Sequence, residues 1–197
     1  MRLDWHCVAF TRTVGWEARD TQVDRLTDYD GLVRWSLERG LLSREDAEAV
    51  GAEAREKPEQ ALAALEDART LRLVLYRVLS AVGVGGTAEP TGLEELNAYL
   101  RRYVPCRRLV ESGSGIGWTW DLDPSRLDDL LGPVVWSAAE LLTSPEAARL
   151  RLCAADDCGW LFIDGSRNRS RRWCDMSDCG NRAKVRRFRR RQREAGG

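Results

Sequence analysis

Cysteine spacing in the last quarter of the chain limits what this sequence can fold into. Cys153 and Cys158 are separated by four residues, as are Cys174 and Cys179, and fifteen residues lie between the pairs. Two Cys-x4-Cys turns offer four thiolates to one tetrahedral zinc ion, at Zn–S distances of about 2.3 Å. Such an array pulls its flanking segments to one point, so metal binding is expected to supply much of the folding energy of so small a module. Gly159 eases the reversal after Cys158. Residues 160–164 read as a strand, 165–170 as a turn, and Arg171-Arg172-Trp173 as the return run to Cys174. A helix is expected from Gly180 to about Arg193. Knuckle, hairpin, knuckle, helix is the order of a treble-clef-like zinc finger with four cysteine ligands. Catalytic zinc keeps one position open for water, whereas four cysteines close the site. The single ion is therefore read as structural, and no catalytic residue is assigned.

Six cysteines in a secreted protein would suggest three disulfides. Here four are clustered, and Cys7 and Cys106 stand alone in a region long enough to bury a core. Zinc is favoured over disulfides for the cluster. His6 and Cys7 are read as packing residues. With 197 residues and a hydrophobic fraction of 43%, the chain suits one medium domain with a small one appended. No stretch approaches the roughly 18 apolar residues of a membrane span, and residues 1–6 do not resemble an apolar signal region. The expectation is a cytoplasmic protein with no membrane partner.

Residues 1–149 are expected to form a mainly α domain with a small β-hairpin, and residues 150–197 the finger with its basic helix. Asp28 to Leu42 carries an imperfect helical stripe, and Ser43 with Asp46 forms a capping-box pattern. The longest helix is expected over 58–82, with Pro58 in its first turn and Leu71, Val74, Leu75, Val78, Leu79 and Val82 on one face. Gly83-Val84-Gly85-Gly86 ends it as a loop, since no Lys-Ser/Thr follows to make a phosphate cradle. Thr91 with Glu94 is read as opening the next helix. Cys106–Glu111 and Ile116–Trp120 predict a hairpin joined by Ser112-Gly113-Ser114-Gly115, with Trp118 and Trp120 covering the core. A helix is expected after Ser125, carrying Leu127 to Leu142. Asp20, Asp24, Asp28 and Asp30 are close but lack calcium-loop spacing. No flexible linker precedes Cys153, so the finger is expected to pack on the body.

The net charge of zero hides an asymmetry. Residues 167–197 hold twelve Arg or Lys against three acids, a charge of +9, which leaves −9 on the rest. All but Lys57 and Lys184 of the 31 basic residues are Arg. A basic module on an acidic body points to a polyanionic partner. Arg182, Arg186, Arg189 and Arg193 fall on one face of the expected helix, and Arg187, Arg190 and Arg191 widen it. Val185 and Phe188 are the pair expected to dock that helix on the hairpin. Arg167, Arg169, Arg171 and Arg172 crowd the turn. Guanidinium groups make forked bonds to phosphate and to guanine edges. The candidate nucleic-acid contacts are therefore Arg167, Arg169, Arg171, Arg172, Arg182, Lys184, Arg186, Arg187, Arg189, Arg190 and Arg193.

Cys153, Cys158-Gly159-Trp160-Leu161-Phe162-Ile163-Asp164, Ser166-Arg167-Asn168-Arg169, Arg172-Trp173-Cys174 and Cys179-Gly180-Asn181-Arg182-Ala183-Lys184 together resemble the CGNR zinc finger. That finger usually ends bacterial proteins whose N-terminal part is the ABATE domain, a family inferred to be stress-induced transcription regulators. The resemblance over 1–142 rests on the order of elements. Phe10-Thr11-Arg12-Thr13 is similar to the family's Phe-x-Asn-Thr signature, with Arg12 where Asn falls.

The resemblance implies DNA binding. In that reading the protein is a zinc-dependent transcription regulator, and its acidic body senses a small-molecule effector, binds a protein partner or forms a homodimer. An RNA-binding or ribosome-associated zinc protein is the alternative, because arginine-rich segments suit RNA equally well. A sensor whose finger is an interaction module is another. No nucleophile–base arrangement, phosphate loop or metal triad is legible in residues 1–142, so no enzymatic activity is assigned.

Overall fold

The computed structural model describes residues 5–17, 21–113 and 115–195, with the backbone alone at residues 16, 17, 21, 22, 112, 190 and 193–195. Asp20 and Ser114 lie outside the described residues, as do the side chains of Arg190 and Arg193.

Helix α4 (Pro58–Gly83) is the axis of the body, after the short α1 (His6–Thr11), α2 (Tyr29–Glu38) and α3 (Arg44–Glu56). Pro58 sits in its first turn, where a missing N–H costs nothing. Ala61, Ala64, Leu65, Ala68, Leu71, Val74, Leu75, Val78 and Leu79 recur on one face and are buried. The first three helices and α5 (Pro90–Tyr103) pack around this face. Helix α6 (Gly132–Thr143) closes the core against α1 and α5, with Val134, Val135, Ala138 and Leu141 fully enclosed. Cys7, also fully enclosed, donates its N–H to Ser137 Oγ at 3.3 Å, so it is a packing residue.

Local signals set most helix starts. Asp28 Oδ1 accepts the Gly31 N–H at 2.7 Å and caps α2. Ser43 and Asp46 form the reciprocal box that caps α3. Two starts differ from expectation, and proline is the reason for both. Helix α5 begins at Pro90 after Glu89 with no side-chain cap, so Thr91 and Glu94 do not open it. Residues 125–131 are turns and a 3-10 segment, and α6 begins only at Gly132-Pro133.

Among the described residues, three antiparallel hairpins complete the fold. β1 (Val14–Glu17) pairs with β2 (Thr21–Asp24), β3 (Arg107–Ser112) with β4 (Gly115–Trp120), and β5 (Leu150–Leu152) with β6 (Leu161–Ile163). The first was not anticipated from the sequence. In the second, Trp118 is 60% exposed and does not cover the core; it lies over the Arg107 guanidinium, which also faces the Trp136 ring at 3.9 Å. Leu150, Leu161 and Ile163 of the third hairpin are buried in the body's core. That packing is close at Gly83 at the end of α4, where an added Cβ would meet Leu161 Cδ2 at 3.3 Å.

An ion pair between the buried Arg72 and the half-buried Asp24 ties β2 to α4. Arg72 donates from Nη1 and Nη2 to the two oxygens of Asp24, at 2.6 Å each, and Nη1 also reaches Thr13 Oγ1 at 3.0 Å. Burial alone would raise the Asp24 pKa; hydrogen bonds from Arg72 and the Leu26 N–H, with the charges of Arg72 and Arg69, override it and hold the carboxyl below its ordinary value. The pair's contribution is thus complete above the unfolded pKa of about 3.9 and is lost as pH falls through the lower folded value. Asp24→Ala leaves the buried Arg72 without its carboxylate and is expected to destabilise the protein by about 1–2 kcal/mol at neutral pH, with the difference from the parent shrinking in acid. Denaturant midpoints at pH 7 and pH 3 check both; a pH-independent loss of about 0.5 kcal/mol or less would show that the pair is incidental.

Candidate metal centre and arginine surface

The first zinc knuckle is the connection between β5 and β6. Cys153 extends the ladder by donating its N–H to the Trp160 carbonyl at 2.8 Å. The chain then turns through Cys158 and Gly159, whose φ of +74° is a left-handed conformation that glycine adopts without strain. The second knuckle begins at Cys174. Asp175 Oδ1 accepts the N–H groups of Ser177 and Asp178, a π turn spans Met176–Gly180, and α7 (Asn181–Ala195) follows. The Cys174 N–H points at Cys153 Sγ, 3.4 Å away, and the Ala154 N–H reaches the Arg172 carbonyl at 2.8 Å.

This arrangement corrects one local expectation. Residues 171–173 do not return as a strand against 160–164; the partner of β6 is β5. The segment between β6 and Cys174 is instead a loop wound around Asp164, which is fully buried. Asp164 Oδ1 accepts the Ser166 N–H and hydroxyl at 2.8 and 2.6 Å, and Oδ2 accepts the Arg171 N–H at 2.9 Å. Burial pushes the Asp164 carboxyl up, and these donors outweigh it and hold it low. Arg167 and Arg169 project from the loop, with Arg169 at φ +51°.

The four sulfurs of Cys153, Cys158, Cys174 and Cys179 lie within 4.8 Å of one another. Cys158–Cys174 and Cys174–Cys179 are both 3.6 Å. Zn–S bonds of about 2.3 Å in a tetrahedron require S–S edges of about 3.8 Å, so the donor set fits one structural zinc ion. Protons alone satisfy it poorly. A hydrogen bond with Cys174 favours the thiolate at Cys158, while the same contact drives the Cys174 thiol upward and burial raises Cys179. A divalent cation displaces the protons that remain on these sulfurs and neutralises the thiolates together. Arg182 Nη2 donates to Cys179 Sγ at 3.1 Å and adds positive charge beside the cluster. Around the sulfurs the finger's own apolar core is small: Ala155 and Phe162, with Trp160 and Trp173 at its edge.

The candidate arginines separate into two groups. Arg182 ion-pairs with Asp178 and Asp157, and both Nη atoms of Arg186 reach Asp157 at 3.2 Å. Arg171 donates to the carbonyls of Trp173 and Cys174, and Arg172 lies over the Trp173 ring. These four knit the finger together. Arg167, Arg169, Lys184, Arg187 and Arg189 are the second group, and all five are exposed. Val185 and Phe188, expected to dock α7 on the hairpin, are 41% and 60% exposed; the helix is tied to the first knuckle through Asp157 instead.

A seam joins finger to body. The Trp160 indole N–H donates to the Val14 carbonyl at 3.1 Å, and the Tyr76 hydroxyl to the Gly159 carbonyl at 3.0 Å. The Arg12 guanidinium stacks over the Trp160 ring at 5.1 Å. Sequence reasoning assigned no role to Asp157, Asp164, Tyr76 or Trp160. Only Asp164 carried a legible signal, as the first residue of an Asp-Gly-Ser turn.

Cys174→Ser is expected to abolish stoichiometric zinc binding while leaving most far-UV helicity, because α1–α6 contain none of the ligands. Metal content of the purified variant and its circular dichroism check this together. Collapse of the whole helical signal would show that the body cannot stand without the metal.

Among the described residues no helix is long and apolar enough to cross a membrane. No curated protein matches the chain at a significant level. Two family models do, and neither description is of an enzyme. One, described as "CGNR zinc finger", matches residues 149–192. The other, described as "Putative stress-induced transcription regulator", matches residues 6–145. The chain therefore belongs to the ABATE family and carries a CGNR zinc finger after its ABATE region.

Proposed function

We propose that this protein is a cytoplasmic bacterial transcription regulator whose zinc finger binds double-stranded DNA. The observation that carries the reading is the set of unclamped cations gathered around the metal centre: Arg167 and Arg169 on the Asp164 loop, and Lys184, Arg187 and Arg189 on α7. The zinc is scaffold. It holds a loop and a helix so that their cations present one polyanion-binding surface, and α7 is narrow enough for the major groove. Most of these groups contact phosphate, which supplies affinity and register; base edges read by one or two of them supply sequence choice. Arg171, Arg172, Arg182 and Arg186 act chiefly by holding the surface in shape. Arg190 and Arg193, which continue the basic stretch of α7, extend the footprint. The division into a regulatory body over 1–149 and a finger over 150–197 belongs to the same reading, with the acidic body governing when the surface is used.

Binding of zinc-loaded protein to duplex DNA should weaken steeply with salt, with a log–log slope of about −0.9 per phosphate contacted. Replacing Arg187 and Arg189 together by Ala should flatten that slope by about two contacts without releasing zinc. Arg186→Ala, in contrast, should loosen the finger and lower metal affinity. No binding at low salt, or equal salt slopes for the parent and the Arg187/Arg189 variant, would defeat the proposal. Tighter retention of structured RNA than of duplex DNA in direct competition would move the function to RNA.

A further inference from the structure

Two apolar side chains stand free on the most basic helix of the protein. Val185 and Phe188 are exposed on α7, which packs chiefly on its own π turn. A lone exposed apolar residue is ordinary. This pair is set apart by its surroundings. Successive residues turn by about 100° around a helix, so Val185, Phe188 and Gln192 fall within about 60° of one another. Asn181, at the head of α7, falls on the same line. All four are exposed, and all four are uncharged. Lys184, Arg187 and Arg191 flank this stripe on one side and Arg189 on the other, and each of them is exposed. Arg182 and Arg186, clamped by Asp157, lie beyond Arg189, about 110° round from the stripe's centre.

An uncharged centre with cations along both edges is the cross-section that suits a helix lying in the major groove of duplex DNA. That groove is about 12 Å wide, with phosphates on its rims and base edges on its floor. Cations on the flanks meet phosphates, and the centre meets bases. The chemistry of the centre names the bases. Apolar side chains contact the C5-methyl group of thymine, and the side-chain amides of Gln and Asn bond to the N6 and N7 atoms of adenine. Arg and Lys, which read guanine, are absent from the stripe. From Val185 to Gln192 the stripe runs about 10 Å along the helix axis, the rise of about three base pairs.

We propose that this stripe is a base-reading face selective for A·T pairs, with Val185 and Phe188 against thymine methyl groups and Gln192 on a neighbouring adenine; the inference rests on the DNA-binding reading. The test uses the full zinc-loaded chain. Selection from random duplexes should return a consensus with an A·T core. Each thymine of that core is then replaced by deoxyuridine, which lacks only the methyl group. The parent should lose about fourfold in affinity for each methyl group it contacts. Val185→Ala/Phe188→Ala changes two exposed positions. It should keep its zinc and the parent's salt slope, bind the thymine duplex more weakly, and bind thymine and uracil duplexes alike. Selection repeated with Gln192→Ala should lose the preference for one adenine. A consensus without A·T pairs, equal parent affinity for the two duplexes, or undiminished discrimination in the double variant overturns the inference. Loss of a concentration-dependent dimer in that variant, with methyl discrimination intact, would make the pair a protein contact and overturns it too. Binding with a steep salt slope but no methyl discrimination defeats this inference alone, whereas no binding at low salt defeats the DNA-binding reading and this inference with it.

Discussion

Four sulfurs confined within 4.8 Å are the constraint on which the rest of the finger depends. They bring the end of β5, the start of β6, the exit of the Asp164 loop and the approach to α7 to a single point. The apolar core that could do this instead is slight, since Ala155 and Phe162 are the buried non-cysteine members of the cluster. A structural zinc ion contributes on the order of 10 kcal/mol to such a module. That is more than burial of so few side chains supplies at about 25 cal/mol per Å². Arg182 is held at this point directly, through Cys179, and the Asp164 loop and α7, which carry the other described candidate arginines, both leave from it.

The hairpin that carries the first knuckle has a second allegiance. Leu150, Leu161 and Ile163 belong to the body's core, and Gly83 lets them approach the end of α4. One face of the hairpin therefore stabilises the body while its tip holds metal. Tyr76, Trp160 and Arg12 add polar and cation–π contacts across the same seam. Arg12 stands where the family signature carries Asn, and here it rests on the finger's own indole.

Much of this was legible in the sequence, and the reasons differ by element. Cysteine spacing specified the metal centre because tetrahedral thiolate coordination leaves few alternatives. The stripe of α4 and the Ser43–Asp46 box were readable because helix periodicity and capping are local. The partner of β6 was not, because Leu150–Leu152 is three residues long and pairing is decided by packing on α4 rather than by any pattern in the strand itself. Proline overrode the expected starts of α5 and α6. The sorting of arginines was invisible for a further reason. Arg186 and Arg187 are identical in sequence terms, and only the placement of Asp157, 29 residues from Arg186, makes one a clamp and the other a free cation.

Helix α7 packs chiefly on its own π turn, and the Asp157 clamp engages Arg182 and Arg186, in its first two turns. Beyond that clamp the helix sets like charges three and four residues apart, Arg186 against Arg189 and Arg190, and Arg187 against Arg191. Each such pair opposes helix formation by about 0.2–0.5 kcal/mol at low salt. The distal half is thus a spring compressed by its own charge. Neutralising these guanidinium groups, by added salt or by any bound polyanion, would relax it. The length of α7 is therefore tied to the ionic surroundings of its free end.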